Sequence, residues 1–205
     1  MQSFPCAERY TIRHFRFPIL PYNLAMNSVD SRESKSVQVR IAQREDAEEI
    51  TTVINSAFRD AEQFFVERDR VDVADVLNFL SSGKFLLAES EHTLLGGVYV
   101  EPGYVDNNRS AAESQDCAYL GLLAVSPAHQ QSGVGSMLMD AAEDYCRALG
   151  LRFMEIKVVN LREELAGFYR KRGYVETGTS AFPAEVETKL RCHFIHMSKP
   201  LDHKD

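Results

Sequence analysis

Gln130, Gly133 and Gly135 are the residues of this chain whose spacing points most directly to chemistry. They lie in Ser126-Pro127-Ala128-His129-Gln130-Gln131-Ser132-Gly133-Val134-Gly135-Ser136. An apolar run from Tyr119 to Val125 precedes them, and a strong helical pattern follows. The order is strand, turn, helix, with glycines where the helix starts. A helix N-terminus presents unpaired N–H groups and partial positive charge, so it favours anions. Glycine there lets a ligand approach the backbone. The stretch therefore predicts a loop for a phosphate or pyrophosphate, although Gly-x-Gly near a turn is common by itself. No Walker-type lysine follows the glycines, so a nucleoside-triphosphate loop fits poorly.

The other reactive side chains form no obvious centre. Cys6, Cys117, Cys146 and Cys192 have neither metal-ligand spacing nor a dense disulfide pattern. Cys117 and Cys192 fall in strand-like runs and Cys146 in a helical one, which reads as buried structural thiols. His193 and His196 fall on opposite faces of a strand-like run, which argues against a shared metal. No metal is expected. A formal net charge of -7 argues against non-specific nucleic-acid binding. The 44% hydrophobic content is that of a globular chain, and no apolar run approaches the roughly 18 residues of a membrane span. A soluble, cytoplasmic monomer or homodimer is the expectation.

These residues need elements to position them. Residues 1–36 hold five Lys/Arg against three Asp/Glu, so they carry +2 against -9 for the rest. Their three prolines and lack of period read as an N-terminal extension without catalytic function. An organelle-targeting segment around Arg9, Arg13 and Arg16, or translation from Met26, are competing readings. Residues 37–205 read as the domain. Val37 to Ala42 alternates as a half-buried strand. Glu45 to Arg59 and Val73 to Leu80 have helical stripes. Phe85 to Glu89 and Leu94 to Val100 read as an antiparallel pair, and Gly103 to Gln115 as a polar loop. Asp116 to Val125 is the strand feeding the glycine loop, and Gly135 to Leu149 the helix after it, ended by Gly150. Phe153 to Val158 is a strand and Glu163 to Lys171 a helix. Tyr174 and Val175 start a strand, Gly178 to Lys189 reads as a loop, and Leu190 to Met197 as the last strand. A strand–helix–strand unit after an antiparallel meander gives an α/β protein with a mixed sheet.

At this point the residues resemble the GCN5-related N-acetyltransferase (GNAT) family. Gln130-x-x-Gly133-x-Gly135 is similar to its acetyl-CoA loop. Leu122-Leu123-Ala124-Val125-Ser126-Pro127 is similar to the strand before it, and Phe168-Tyr169-Arg170-Lys171-Arg172-Gly173-Tyr174 to its Leu-Tyr-x-x-x-Gly-Phe segment. The likeness runs from Val37 to about Leu201. It implies a GNAT-like fold of about seven strands flanked by about four helices, with two central parallel strands splayed apart. It implies acetyl-CoA as acyl donor, with the amides of Gln131, Ser132, Gly133, Val134, Gly135 and Ser136 on the pyrophosphate. The pantetheine arm would pair with the open edges of Leu123, Ala124 and Val125 and of Glu155 to Val158. The backbone N–H of Leu123 or Val125 would hold the acetyl carbonyl. Tyr169 matches the family's general acid toward the departing thiolate, although an aromatic at that spacing is also an ordinary core residue. Many relatives have a coenzyme-contacting Asn seven residues before that tyrosine. Here Arg162 stands there, with Asn160 nearby, and either is a candidate contact.

The implied reaction is direct acetyl transfer to a primary amine of a small molecule or peptide. An alkylamine of pKa about 10 must first lose a proton. Some relatives use a central-strand Glu as base, and Tyr119 occupies its position. Glu101, Asp116, His193 and Tyr119 through a water are the candidate bases, each with a blander reading as a solvated or packed residue. Phe64, Phe65, Arg68, Arg70, Tyr104, Phe182 and His193 are candidates for the acceptor side. Two other classes stay open: an acetyl-CoA-binding sensor or scaffold without turnover, and a nucleotide-binding hydrolase.

Overall fold

The computed structural model describes residues 36–104 and 116–201. The expectations for residues 1–35 and for most of the loop at 105–115 lie outside the described residues. The elements are β1 (Gln38–Ile41), α1 (Ala47–Glu62), α2 (Val73–Ser82), β2 (Lys84–Ser90), β3 (Thr93–Pro102) and β4 (Cys117–Val125), then α3 (Val134–Ala148), β5 (Phe153–Val159), α4 (Glu163–Lys171), β6 (Val175–Ala181) and β7 (His193–Pro200). The strands form one seven-stranded sheet in the order β1-β2-β3-β4-β5-β7-β6. Only the β4–β5 pair is parallel. This is the mixed sheet that the alternation of patterns predicts.

Two apolar layers sandwich the sheet. On one face Leu138, Met139, Ala142 and Cys146 of α3 and Ala166 and Tyr169 of α4 pack on Leu120, Met154 and Ile156. On the other, Ile50, Ile54 and Ala57 of α1 and Val76 of α2 cover Phe85, Leu87, Tyr99 and Ala124. A fully buried side chain such as Leu138 stabilises the fold by roughly 1.5–3 kcal/mol through the water it sheds. The helices start where side chains can replace missing backbone partners. Asp72 accepts from the Asp75 N–H at 2.8 Å, and Asp75 accepts from the Asp72 N–H at 3.0 Å. This reciprocal cap fixes the start of α2.

Three boundaries differ from the sequence reading. Helix α1 runs on to Glu62, one turn past Arg59. Strand β6 continues to Ala181, because Gly178 sits at a register irregularity opposite β7 and does not end the pairing. Strand β7 begins at His193, so Cys192 precedes it and is half-buried, not a packed strand thiol. Gly150 follows α3 with φ of 76°, a left-handed conformation that glycine adopts without steric cost.

Candidate active site

The glycine loop is built by two left-handed residues. After β4 a short turn at Pro127–His129 leads to Gln131 with φ of 63° and Gly133 with φ of 88°. Helix α3 then starts at Val134. Left-handed residues next to right-handed ones turn successive N–H groups toward one concave side, and such a nest binds anions. Gln130 Nε2 donates to the Val125 carbonyl at 3.4 Å, and Ser132 Oγ donates to the His129 carbonyl at 2.6 Å. These bonds tie the loop to the strand and to itself. A Cβ on Gly133 would meet nothing within 4 Å, so the space above it is open. A Cβ on Gly135 would touch only Val125 Cγ2 at 3.6 Å. Gly133 is therefore required for its backbone conformation, whereas the protein itself would tolerate alanine at position 135. Donors, a helix start and open space together fit a pyrophosphate.

Below the loop, the two parallel strands part. Pairing of β4 with β5 runs from Cys117↔Phe153 to Leu120↔Ile156 and stops. Leu122 lies at φ of 50°, rare for a non-glycine residue, and the register with β3 shifts between Gly97 and Tyr99. The bulge puts Gly121 and Leu122 in succession toward α1 and α2, and turns Leu123 and Val125 toward α3. The Ser126 N–H donates to the Leu95 carbonyl of β3 at 2.8 Å. Backbone groups alternate along a strand, so the amides of Val125 and Leu123 point the other way, into the gap. Strain at Leu122 thus opens the edge that a pantetheine arm requires.

A cavity of about 300 Å³ occupies the gap, with Tyr119, Leu122, Leu123, Lys157, Arg162 and Tyr169 in its wall. Tyr169 is 5% exposed. Burial pushes its phenol well above the ordinary value, Tyr119 adds to the shift, and Arg162 and Arg172 oppose it. Burial also raises Tyr119, with Arg70 opposing. Both phenols therefore keep their protons at neutral pH. Tyr104 stacks against Tyr119 at 4.8 Å, and the Tyr104 hydroxyl accepts from Lys157 Nζ at 3.2 Å.

The expected site residues scatter. Arg162 precedes α4 and pairs with Glu164 at 2.5 Å and, more distantly, with Glu62 at 4.0 Å. Asn160 joins β5 to β7: its Oδ1 accepts from the His193 N–H at 2.8 Å, and its own N–H donates to the His193 carbonyl at 3.0 Å. Glu101 accepts from the Tyr99 hydroxyl at 3.0 Å. Asp116 does not reach the cavity. It precedes β4 at the paired end and faces Arg152 at 3.7 Å. Seven residues of strand, roughly 23 Å, separate it from Leu123. His193 is exposed, on the face opposite to Phe194, whose ring lines the cavity, so it too is removed from the wall. Phe65 is fully buried core, and Phe64 is exposed outside the cavity. Arg68, Arg70 and Phe182 do line it.

The sequence reading missed Glu62, Tyr99, Lys157 and the bulge at Leu122. Glu62 left a readable signal. Ile50, Ile54, Phe58 and Glu62 recur every four residues, which sets an acid at the end of an apolar stripe.

A sheet opened where a parallel pair parts beside a β-bulge, an anion loop at the head of the next helix and a buried tyrosine at the gap define an acyl-coenzyme A-dependent acyltransferase. The sequence matches the acetyltransferase (GNAT) family over residues 46–174, and the chain belongs to that family. Membership makes it an acyl-CoA-dependent N-acetyltransferase. No curated protein sequence matches the chain. Among solved structures, it is similar to yncA from Salmonella typhimurium, determined with its cofactor acetyl-CoA, at TM-score 0.63 and 20% identity over 83% of this chain and 96% of that one. It is also similar to an N-acetyltransferase from Staphylococcus aureus Mu50, at TM-score 0.64 and 14% identity over 82% of this chain and 99% of that one. The ribosomal-protein-S18-alanine N-acetyltransferase from Escherichia coli gives TM-score 0.61 and 14% identity, over 83% and 97% of the two chains. At these identities the likeness shows the fold. No helix among the described residues is long and apolar enough to cross a membrane. No metal-binding cluster occurs among the described residues either.

Proposed function

We propose that the protein transfers acetyl from acetyl-CoA directly to a primary amine of a small molecule or peptide. The observation that carries this reading is the gap beyond Leu120 and Ile156, with Tyr169 and Tyr119 in its wall. In this reading Gln131 to Ser136 hold the pyrophosphate and the strand edge from Leu123 to Val125 aligns the thioester. The Leu123 and Val125 amides stabilise the oxyanion of the tetrahedral intermediate. Tyr169 donates its proton to the departing sulfur. A raised phenol pKa suits an acid that must stay protonated until the thiolate forms. For the same reason Tyr119 serves as donor or relay and not as the base. Arg162 lies at the N-terminus of the helix that carries Tyr169, and in this reading it contacts the coenzyme.

The test is thiol release from acetyl-CoA across a panel of amines, with mass measurement of the acetylated product. Amine-dependent thiol equal in amount to new amide supports the reading. Acetyl-CoA binding with no amine-dependent thiol would replace it with the sensor reading.

A further inference from the structure

The wall of the cavity carries a carboxylate in an unusual state. Glu62 is 7% exposed, at the end of α1, and lines both the 300 Å³ cavity and a neighbouring one of about 510 Å³. Its oxygens approach Arg70 Nη1 at 3.8 Å and Arg162 Nη1 at 4.0 Å, and accept no hydrogen bond among the described residues. Glu143, more deeply buried, accepts two hydrogen bonds, both on Oε2, from Lys199 at 2.7 Å and from Arg147 at 3.2 Å, while its Oε1 accepts none. A buried carboxylate without hydrogen bonds is costly, and the group facing a cavity is open to a donor from the ligand. Burial raises the Glu62 pKa even though Arg70 and Arg162 oppose it. The Cys192 thiol is the other titratable group that faces it.

Around Glu62 the wall is cationic. Arg68, Arg70, Lys157 and Arg162 line the same cavity. Arg70 is fixed: Asn55 Oδ1 accepts from its N–H at 2.9 Å, and its guanidinium lies 5.2 Å over the Phe58 ring. In the neighbouring cavity Arg59 pairs with Asp69 and Lys189 with Glu67. Arg68 lines both cavities and has no ion pair or hydrogen bond among the described residues. Arg70 and Arg162 pair with Glu62, and their charges oppose the rise of the Tyr119 and Tyr169 phenols, respectively. Glu62 thus stands between two arginines whose charges reach the two phenols of the cavity wall. A carboxylate with long ion pairs and no hydrogen bond, and an exposed guanidinium without a protein partner among the described residues, line the same two cavities and together complement a zwitterion.

We infer that the acceptor is an amine carrying its own anionic group, as an amino acid does, with its ammonium on Glu62 and its anion on Arg68. This rests on the acetyl-transfer reading above. The ammonium gives one proton to a Glu62 oxygen, and the surrounding cations favour that loss. The freed nitrogen lone pair forms the C–N bond at the thioester carbonyl. The C–S bond then breaks and the sulfur takes the Tyr169 proton. The second proton of the acylated nitrogen leaves to solvent, solvent returns a proton to the Tyr169 oxygen, and Glu62 gives its own proton to solvent.

The experiment measures acetyl-CoA thiol release with two matched acceptor sets. One holds the L-amino acids. The other holds their decarboxylated amines and amides, together with polyamines and a tripeptide amide. The best acceptor is expected in the first set, with kcat/KM at least about tenfold above its own decarboxylated amine. Arg68→Gln should raise KM for that acceptor and collapse the ratio toward one. Glu62→Gln should lower kcat and remove the acidic limb of the rate profile. Turnover confined to the second set, or a ratio near one in the wild type, overturns the inference and leaves acetyl transfer intact. Thiol release with neither set overturns the acetyl-transfer reading itself and this inference with it.

Discussion

Tyr119 on β4 stands directly opposite Glu101 on β3. The carboxylate that some relatives carry on the central strand is thus one strand away, held by the Tyr99 hydroxyl at 3.0 Å. Tyr99 is nearly fully buried, and its hydrogen bond to Glu101 raises its phenol further after burial. The pair reads as support for the cleft floor, with the proton leaving through Glu62. Glu101→Gln keeps a hydrogen-bond acceptor for Tyr99. It is expected to retain activity within about tenfold, without loss of the acidic limb, which initial rates from pH 5 to 9 would report. A vanished limb in this variant would move the base to Glu101.

In the proposed reaction Tyr169 acts as the acid. Tyr169→Phe keeps the ring and its contacts to Phe168 and Tyr174 at 5.3 and 5.6 Å, and removes only the hydroxyl. Turnover should fall by about 100-fold or more, with the acetyl-CoA dissociation constant little changed. Because burial raises the Tyr169 pKa, the wild type should show no alkaline limb from this group at ordinary working pH. Titration calorimetry with coenzyme A and rates at saturating substrate check the two halves. Unchanged turnover would remove the acid role.

Gly133 holds φ of 88° at the mouth of the loop. Alanine there meets left-handed strain of about 1–2 kcal/mol and adds a methyl to the open space above the loop. Gly133→Ala should weaken acetyl-CoA binding by tenfold or more and lower the melting temperature. Gly135→Ala, whose Cβ makes an ordinary contact, should do neither to that extent. Equal effects of the two substitutions in a binding and melting series would contradict this division.

Glu62 sets a pH dependence of stability. Its folded pKa lies above the ordinary value, chiefly through burial, with Arg70 and Arg162 opposing. The folded state therefore holds this proton more tightly than the unfolded state. Stability from this group is full below the ordinary carboxylate pKa and is lost as pH rises through the raised one. Glu62→Gln cannot ionise. Its melting temperature relative to wild type should start near equality at about pH 4 and rise as the pH is raised. A difference that falls with pH would mean that the two arginines outweigh burial.

Much of this architecture is legible in the residues because local patterns agree with the fold. Ile50 and Ile54, Leu138 and Ala142, and the alternating Val37 and Val39 each specify one face. The Gln130 to Gly135 loop is legible because its function needs backbone conformations that few residues supply. The rest of the cavity wall is legible only in part: Arg68, Arg70 and Phe182 stand out in the sequence, but Lys157 does not, because distant segments assemble the wall. Arg68 and Arg70 come from the link between α1 and α2, Lys157 from β5 and Phe182 from beyond β6. Nothing local marks Leu122 as the bulge, since leucine has no preference for φ of 50° and tertiary packing imposes it. Asp116 and His193 misled for the same reason: a strand's residue types do not say which end or face borders the cleft.

The central claim is that the gap between β4 and β5 holds the thioester. It is tested most directly by a crystal structure with coenzyme A bound. The pyrophosphate should lie on the amides of Gln131 to Ser136, with the pantetheine arm along Leu123 to Val125 and the sulfur within hydrogen-bond reach of the Tyr169 hydroxyl. Coenzyme A bound outside the gap, or with its sulfur turned away from Tyr169, would contradict the account.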